Sequence, residues 1–185
     1  MIDPNTKLTE HFTLKEMTAS KSYPKIYNVP PLDKVDNLRH VCEWLEDLRE
    51  AYNARYTSPD LPKGEEGLRA SESGRHTPPL EGKGEVPIII NSGYRSPMLN
   101  RAVGGATHSN HLDGCAADIR CPGKEANDRA KMALRYATLL LEIAEMRKER
   151  FDELIIERKG ANWWVHFAVR PGSNRMWVTV LNKSN

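Results

Sequence analysis

The 185-residue chain has only three cysteines, Cys42, Cys115 and Cys121. An odd number with no C-x-x-C spacing excludes a disulfide framework and leaves buried or part-buried free thiols as the plain reading. Long apolar runs are missing too. The longest, "PIII" and "LLLEIA", fall far short of the roughly 20 residues a transmembrane helix needs, so no membrane span is expected. The opening "MIDPNTKLTEHF" has no basic segment followed by an apolar one, so no secretory signal is read and the expected compartment is the cytoplasm. Charge of one sign is scarce: 27 Lys and Arg against 25 Asp and Glu leave a net charge of +2. With no dense basic stripe interleaved with aromatics, no nucleic-acid partner is expected. What remains, 39% apolar and 28% charged residues, is the make-up of an ordinary globular chain. The length suits one domain, residues 1–185, with a sizeable core, and a monomer is expected.

Local patterns divide the chain. In "FTLKEMTAS", Thr13 stands three positions before Glu16, a capping-box signature for a short helix. From "PPLDKVDNL" onward, Val35, Leu38, Val41, Leu45 and Leu48 recur at spacings of three and four, which predicts a long amphipathic helix with Asp33 as N-cap. Residues 57–87 are crowded with Pro, Gly, Ser and charge and read as a flexible insertion, either a lid or a tolerated loop. "VPIIINSGYRS" reads as a strand ending in a turn, after which Ser96-Pro97 opens a helix that Gly104-Gly105 ends. "CAADIRC" reads as a strand and residues 124–150 as a long Ala- and Leu-rich helix. "FDELIIER", "NWWVHFAV" and "RMWVTVL" then read as an antiparallel meander. The expected class is α+β, a central, mostly antiparallel sheet flanked by helices.

"SNHLDGCAADIR" carries the chemistry. His111 and Asp118 are seven positions apart, roughly 23 Å if extended, far more than two ligands of one metal allow. Gly114 permits a reversal between them, and Ala116 and Ala117 keep the return narrow. One more ligand would complete a catalytic zinc site of three protein groups plus water, and His166 in "NWWVHFAV" is the candidate. A general base is also needed. If the last two strands before residue 169 pair with Arg158 opposite Trp163, then Ile155 faces His166 and Glu157 becomes its diagonal neighbour. Glu153 shares that face and is the second candidate base. Arg95, at a strand-to-helix turn, offers a guanidinium suited to a carboxylate.

Taken together, "SGYRSPMLNRAVGGATHSNHLDGCAADIR" and the later "WWVHF" resemble the zinc D-Ala-D-Ala carboxypeptidase family. Its fold is shared with L-alanyl-D-glutamate endopeptidases, D-Ala-D-Ala dipeptidases and the hedgehog signalling domain. The matching elements are Tyr94-Arg95-Ser96, Gly104-Gly105, Ser109-x-His111-x-x-Gly114-x-Ala116-x-Asp118 and Trp164-x-His166. The resemblance implies zinc held by His111, Asp118 and His166, and hydrolysis of amide bonds next to D-amino acids in peptidoglycan peptides. It implies that Arg95 holds the substrate carboxylate or supports the oxyanion, that Ser109 lines the groove, and that Tyr94 and Trp164 border the substrate.

One departure stands out. Many relatives carry the base three residues before the last histidine, where this chain has Trp163. Either Glu157 supplies the base, or the domain is a catalytically impaired, zinc-stabilised module that binds cell-wall peptides. A thiol switch between Cys115 and Cys121 is a third reading. Without a signal, a wall hydrolase would reach its substrate by another route, such as phage-type lysis.

Overall fold

The computed structural model describes residues 3–57 and 85–183; the expected insertion at 57–87 falls, apart from its ends, outside the described residues. A short helix α1 (Leu14–Thr18) is followed by α2 (Leu32–Tyr56), strand β1 (Ile90–Ser92) and helix α3 (Pro97–Ala102). A 3-10 turn (Asn110–Asp113), β2 (Ala116–Arg120) and α4 (Ala126–Arg147) come next. β3 (Glu153–Lys159), β4 (Asn162–Ala168) and β5 (Trp177–Asn182) complete the described fold. The class is α+β: helices and one five-stranded mixed sheet in the order β1-β2-β4-β3-β5.

Side-chain alternation along the strands divides the sheet into two faces. Ala117, Ile119, Leu154, Ile156, Val165 and Phe167 point to one face and are buried against α2 and α4. The apolar stripe of α2, Val35, Leu38, Val41, Leu45 and Leu48, lies in this core as its periodicity predicts. Trp44 anchors the layer, with ring centroids 5.1 Å from Phe167 and 6.5 Å from Phe151. The other face carries Ser92, Asp118, His166 and the two glutamates of β3. One layer thus supplies the packing that leaves the opposite face free for polar groups.

Local chemistry sets the ends of several elements. Thr13 and Glu16 form the expected capping box, and the Ser96 hydroxyl accepts from the Leu99 amide at 3.3 Å with Pro97 in the first turn. Asp33 is not the N-cap of α2. The helix starts at Leu32 with Pro31 as N-cap, which leaves Asp33 in the first turn, where a carboxylate favours the helix N-terminus.

The expected meander holds for β3 and β4 but not for β5. The register matches the expected one, with Arg158 opposite Trp163 and Ile155 opposite His166. β4 already pairs with β3 on one side and β2 on the other, so the last strand has only the outer edge of β3. The chain leaves β4 at Ala168, beside Glu153, and β5 begins at the same end, with Trp177 opposite Glu153. It therefore runs parallel to β3.

Gly114 follows the 3-10 turn at φ 70°, ψ 15°, and a Cβ there would lie 2.7 Å from the Lys34 carbonyl oxygen. Both the left-handed backbone and the close approach require glycine. Gly114→Ala is expected to destabilise the fold by about 2 kcal/mol or more, from left-handed strain of roughly 1–2 kcal/mol plus the backbone clash. Urea denaturation at constant m-value measures this, with Gly104→Ala as control: Gly104 has φ 70° but no atom within 4 Å of its Cβ position.

Candidate metal centre

His111 sits in the 3-10 turn and is held on several sides. Its Nδ1 lies 2.6 Å from the Gly93 carbonyl, which can only accept, so that nitrogen carries the proton and Nε2 presents its lone pair inward, toward Asp118. Its own carbonyl accepts from the Arg95 amide at 3.0 Å and the Gly114 amide at 3.3 Å. Those bonds tie the Y-R-S turn after β1 to the histidine turn. Burial lowers the His111 pKa against the raising effect of Asp118, favouring the neutral ring that a cation requires.

Asp118 and His166 meet by strand register. They are directly opposite in the β2–β4 ladder, so their side chains share a face. Asp118 Oδ1 lies 3.3 Å from His111 Nε2 and 3.0 Å from His166 Nδ1, and the two rings stand 5.0 Å apart. One donor atom from each of the three residues falls within 4.8 Å of the others. All three residues are buried. Burial tends to raise the Asp118 carboxyl, but the two imidazoles hold it well below its usual range. Burial tends to lower His166, but Asp118 and Glu153 outweigh it and push the ring up to about 9.

The outer nitrogen of His166 is also engaged. Nε2 lies 3.0 Å from Glu153 Oε2, a carboxylate–histidine pair of the kind that fixes which nitrogen a metal ligand presents. Glu153 accepts further bonds from Asn110 Nδ2 at 3.0 Å and from Arg175. Its pKa falls to about 2, chiefly through the His166 hydrogen bond. Two imidazole nitrogens and a carboxylate converging on one buried point, each imidazole anchored from behind, suit a divalent cation that accepts mixed N and O ligands.

The remaining expected residues are spread around this cluster. Glu157 lies on the same face as His166, opposite Trp164, and is buried; its carboxylate meets Lys183 Nζ at 2.8 Å. Arg95 does not stand free: its Nε donates to Ser92 Oγ at 2.8 Å and its Nη2 to Asp118 Oδ2. Ser109 caps the 3-10 turn and lines a cleft of about 380 Å³ with Thr107, His108 and Arg170. Trp164 is half-buried beside His166, with Lys183 5.3 Å over its ring.

Two expectations are corrected. Tyr94, expected to border the substrate, is 4% exposed and packs in the core, because its backbone is tied to Met17 and Asn28 and its ring follows the turn inward. Cys115 and Cys121 flank the extended β2, so six residues, roughly 20 Å at strand rise, separate them, too far for a disulfide. Both thiols are buried, and burial pushes them up to about 11 and about 12. Trp163 faces the core rather than the site, since three residues along a regular strand lead to the opposite face.

Asp152, Asn110 and Arg175 escaped the sequence reading. Asp152 is fully buried, receives Arg175 Nε at 2.8 Å, Arg175 Nη2 at 2.7 Å and Asn110 Nδ2 at 2.9 Å, and drops to about 2. The one available signal was the acidic pair Asp152-Glu153 before an apolar strand, where a buried carboxylate demands a cation.

A buried donor set of this kind, on the polar face of an α+β sheet, is one that a divalent metal ion could occupy. The family model for peptidase M15 matches residues 65–155, just under half of the chain. The chain is also 50% identical over 36 residues to the zinc D-Ala-D-Ala carboxypeptidase of Streptomyces albus G, a stretch that covers 20% of this chain and 14% of that protein. The family match includes His111 and Asp118 but ends before His166, whose place in the cluster follows from the β2–β4 register. Among the described residues, no helix is long and apolar enough to cross a membrane.

Asp152 makes acid stability a test of the network beneath the site. Its folded pKa is about 2 against an unfolded value near 3.8, so its contribution is complete above the unfolded value and lost as pH falls toward 2. Urea midpoints measured on metal-free protein are expected to drop between about pH 4 and 2, and Asp152→Asn is expected to flatten that slope while lowering stability at neutral pH.

Proposed function

We propose that the chain is a zinc-dependent peptidase that hydrolyses stem-peptide amide bonds of peptidoglycan next to D-amino acids. The convergence of His111, Asp118 and His166 within 4.8 Å carries this reading. The match to the peptidase M15 family model and the activity of the Streptomyces relative support the substrate class. A zinc ion held there supplies Lewis acidity: it polarises a carbonyl oxygen and brings the pKa of water down to about 7.

The chain's own residues do the rest. Glu157, on the site face beside His166, takes the proton of the attacking water and returns it to the leaving amine. Glu153 is already committed to His166, Asn110 and Arg175, which leaves Glu157 as the base. Arg95 steadies the Asp118 carboxylate with one amino group, and its remaining N–H donors face a substrate carboxylate or the developing oxyanion. Ser109, in its cleft, and Trp164, on the site face of β4, would contact the peptide.

A second reading, a zinc-stabilised module that binds cell-wall peptides without cleaving them, is favoured by one observation. The Glu157 carboxylate is paired with Lys183 at 2.8 Å, a contact that blunts a base.

Protein purified without chelator is expected to hold about one equivalent of zinc by elemental analysis, and His111→Ala to lose it. Absence of zinc from the wild type would sink the metallopeptidase reading. Glu157→Gln is expected to keep the metal while turnover of D-Ala-D-Ala peptides or peptidoglycan drops by about 100-fold or more. Wild-type protein that binds zinc and such peptides but releases no product would establish the binding module instead.

A further inference from the structure

Arg175 lies in the connection between β4 and β5, well after the last expected ligand in the chain, yet its guanidinium reaches the back of the metal cluster. Its Nε and Nη2 grip Asp152 in bidentate fashion, its backbone amide donates to Asp152 Oδ1 at 3.2 Å, and Nη2 also donates to Glu153 Oε1. The other oxygen of Glu153 meets His166 Nε2. Asn110, next to His111 in the chain, spans Asp152 Oδ2 and Glu153 Oε2 with one amide nitrogen. One continuous chain of polar contacts therefore leads from Asp152 through Arg175 and Glu153 to the ring of His166.

Burial gives this chain its effect. Asp152 is fully buried, and the Glu153 side chain is 16% exposed, so water competes little for either carboxylate. An imidazole can present either nitrogen to a cation, and the partner on the other nitrogen decides which. Glu153 makes that choice only while its carboxylate is held; released, it can rotate toward solvent and leave Nε2 unpaired. The bidentate grip of Arg175 on Asp152 fixes the guanidinium, and the fixed guanidinium fixes Glu153.

We propose that Arg175 is a positioning residue for the metal centre, acting through Glu153 to make His166 present Nδ1. The proposal rests on the metal-site reading above. It assigns Arg175 no contact with substrate.

Zinc affinity of the full chain, measured by competition with a chromophoric chelator, tests it. Glu153→Ala and Arg175→Ala are each expected to weaken zinc binding by about ten-fold or more, the usual effect of removing an outer partner of a metal-bound histidine. Glu153→Gln, whose amide oxygen can still accept from Nε2 while its NH2 faces the Arg175 donor, is expected to recover only part of the loss. The double variant is expected to bind little worse than either single one, because both residues act along the same chain of contacts. The d–d absorption of the cobalt-substituted protein is expected to shift in Glu153→Ala and Arg175→Ala alike, a change that loss of stability elsewhere would not produce. Should Arg175→Ala fail to fold once Asp152 loses its counter-charge, Arg175→Lys, which keeps the charge but not the planar fork that spans both carboxylates, is measured in its place with the same loss expected. Affinities within about two-fold of wild type, or losses that multiply in the double variant, overturn the proposal while leaving the metal site standing. Wild-type protein that takes up no zinc overturns both.

Discussion

Asp118 stands directly across from His166 in the β2–β4 ladder, and the rest of the centre is arranged around that pairing. A slip of one residue would turn either side chain into the core and separate the two donors. The register is protected by what lies behind it. Ala117, Ile119, Val165 and Phe167, the neighbours of the two donors on their own strands, are the residues buried against the helices, so any slip would also expose the core. Apolar packing on one face thus enforces polar geometry on the other.

That geometry carries an electrostatic cost, because three ionisable groups are buried close together. The fold meets it with fixed partners rather than water: the Gly93 carbonyl behind His111, Arg95 and the two imidazoles around Asp118, and Glu153 behind His166. Gly93 and Arg95 come from the turn after β1, and Glu153 from the start of β3. The 3-10 turn joins them through Asn110 and the His111 carbonyl. Breaking one contact leaves a buried group with nothing to replace it, so the arrangement behaves as a unit.

Much of this was legible in the sequence because it is local or periodic. The spacing of apolar residues in α2, the Thr13–Glu16 capping box, the Ser96-Pro97 start of α3 and the turn at Gly114 all depend on neighbours within a few positions. His111 and Asp118 could be linked through the Gly114 turn, but His166 joined them as third donor on the family resemblance of "WWVHF", and the hairpin register bore only on Glu157. Asp33 was misplaced because Pro31 fits the same entry and cannot be told apart by spacing. The parallel course of β5 was hidden because it follows from β2 occupying β4's other edge, a pairing across 48 positions at Asp118 and His166. Asp152, Asn110 and Arg175 were invisible likewise, since each is ordinary alone and acquires meaning only through partners more than twenty positions away. Tyr94 shows the reverse error, in which a residue next to a functional arginine was credited with its neighbour's role although its ring fills the core.

β5 contributes no buried residue, yet it is flanked by Arg175 on one side and Lys183 on the other. Because it runs parallel to β3, those two cations arrive in the same order as Glu153 and Glu157, and each meets its own carboxylate. An antiparallel strand would have exchanged them. The strand therefore acts as a spacer that delivers two charges at a set separation, and the hydrophobic core is indifferent to it. Fraying at this edge, whether from heat, a fused tag or a neighbouring domain, would disarm the polar face while the globule stayed folded. Integrity of the centre and stability of the fold are in that sense separately adjustable properties of one short segment.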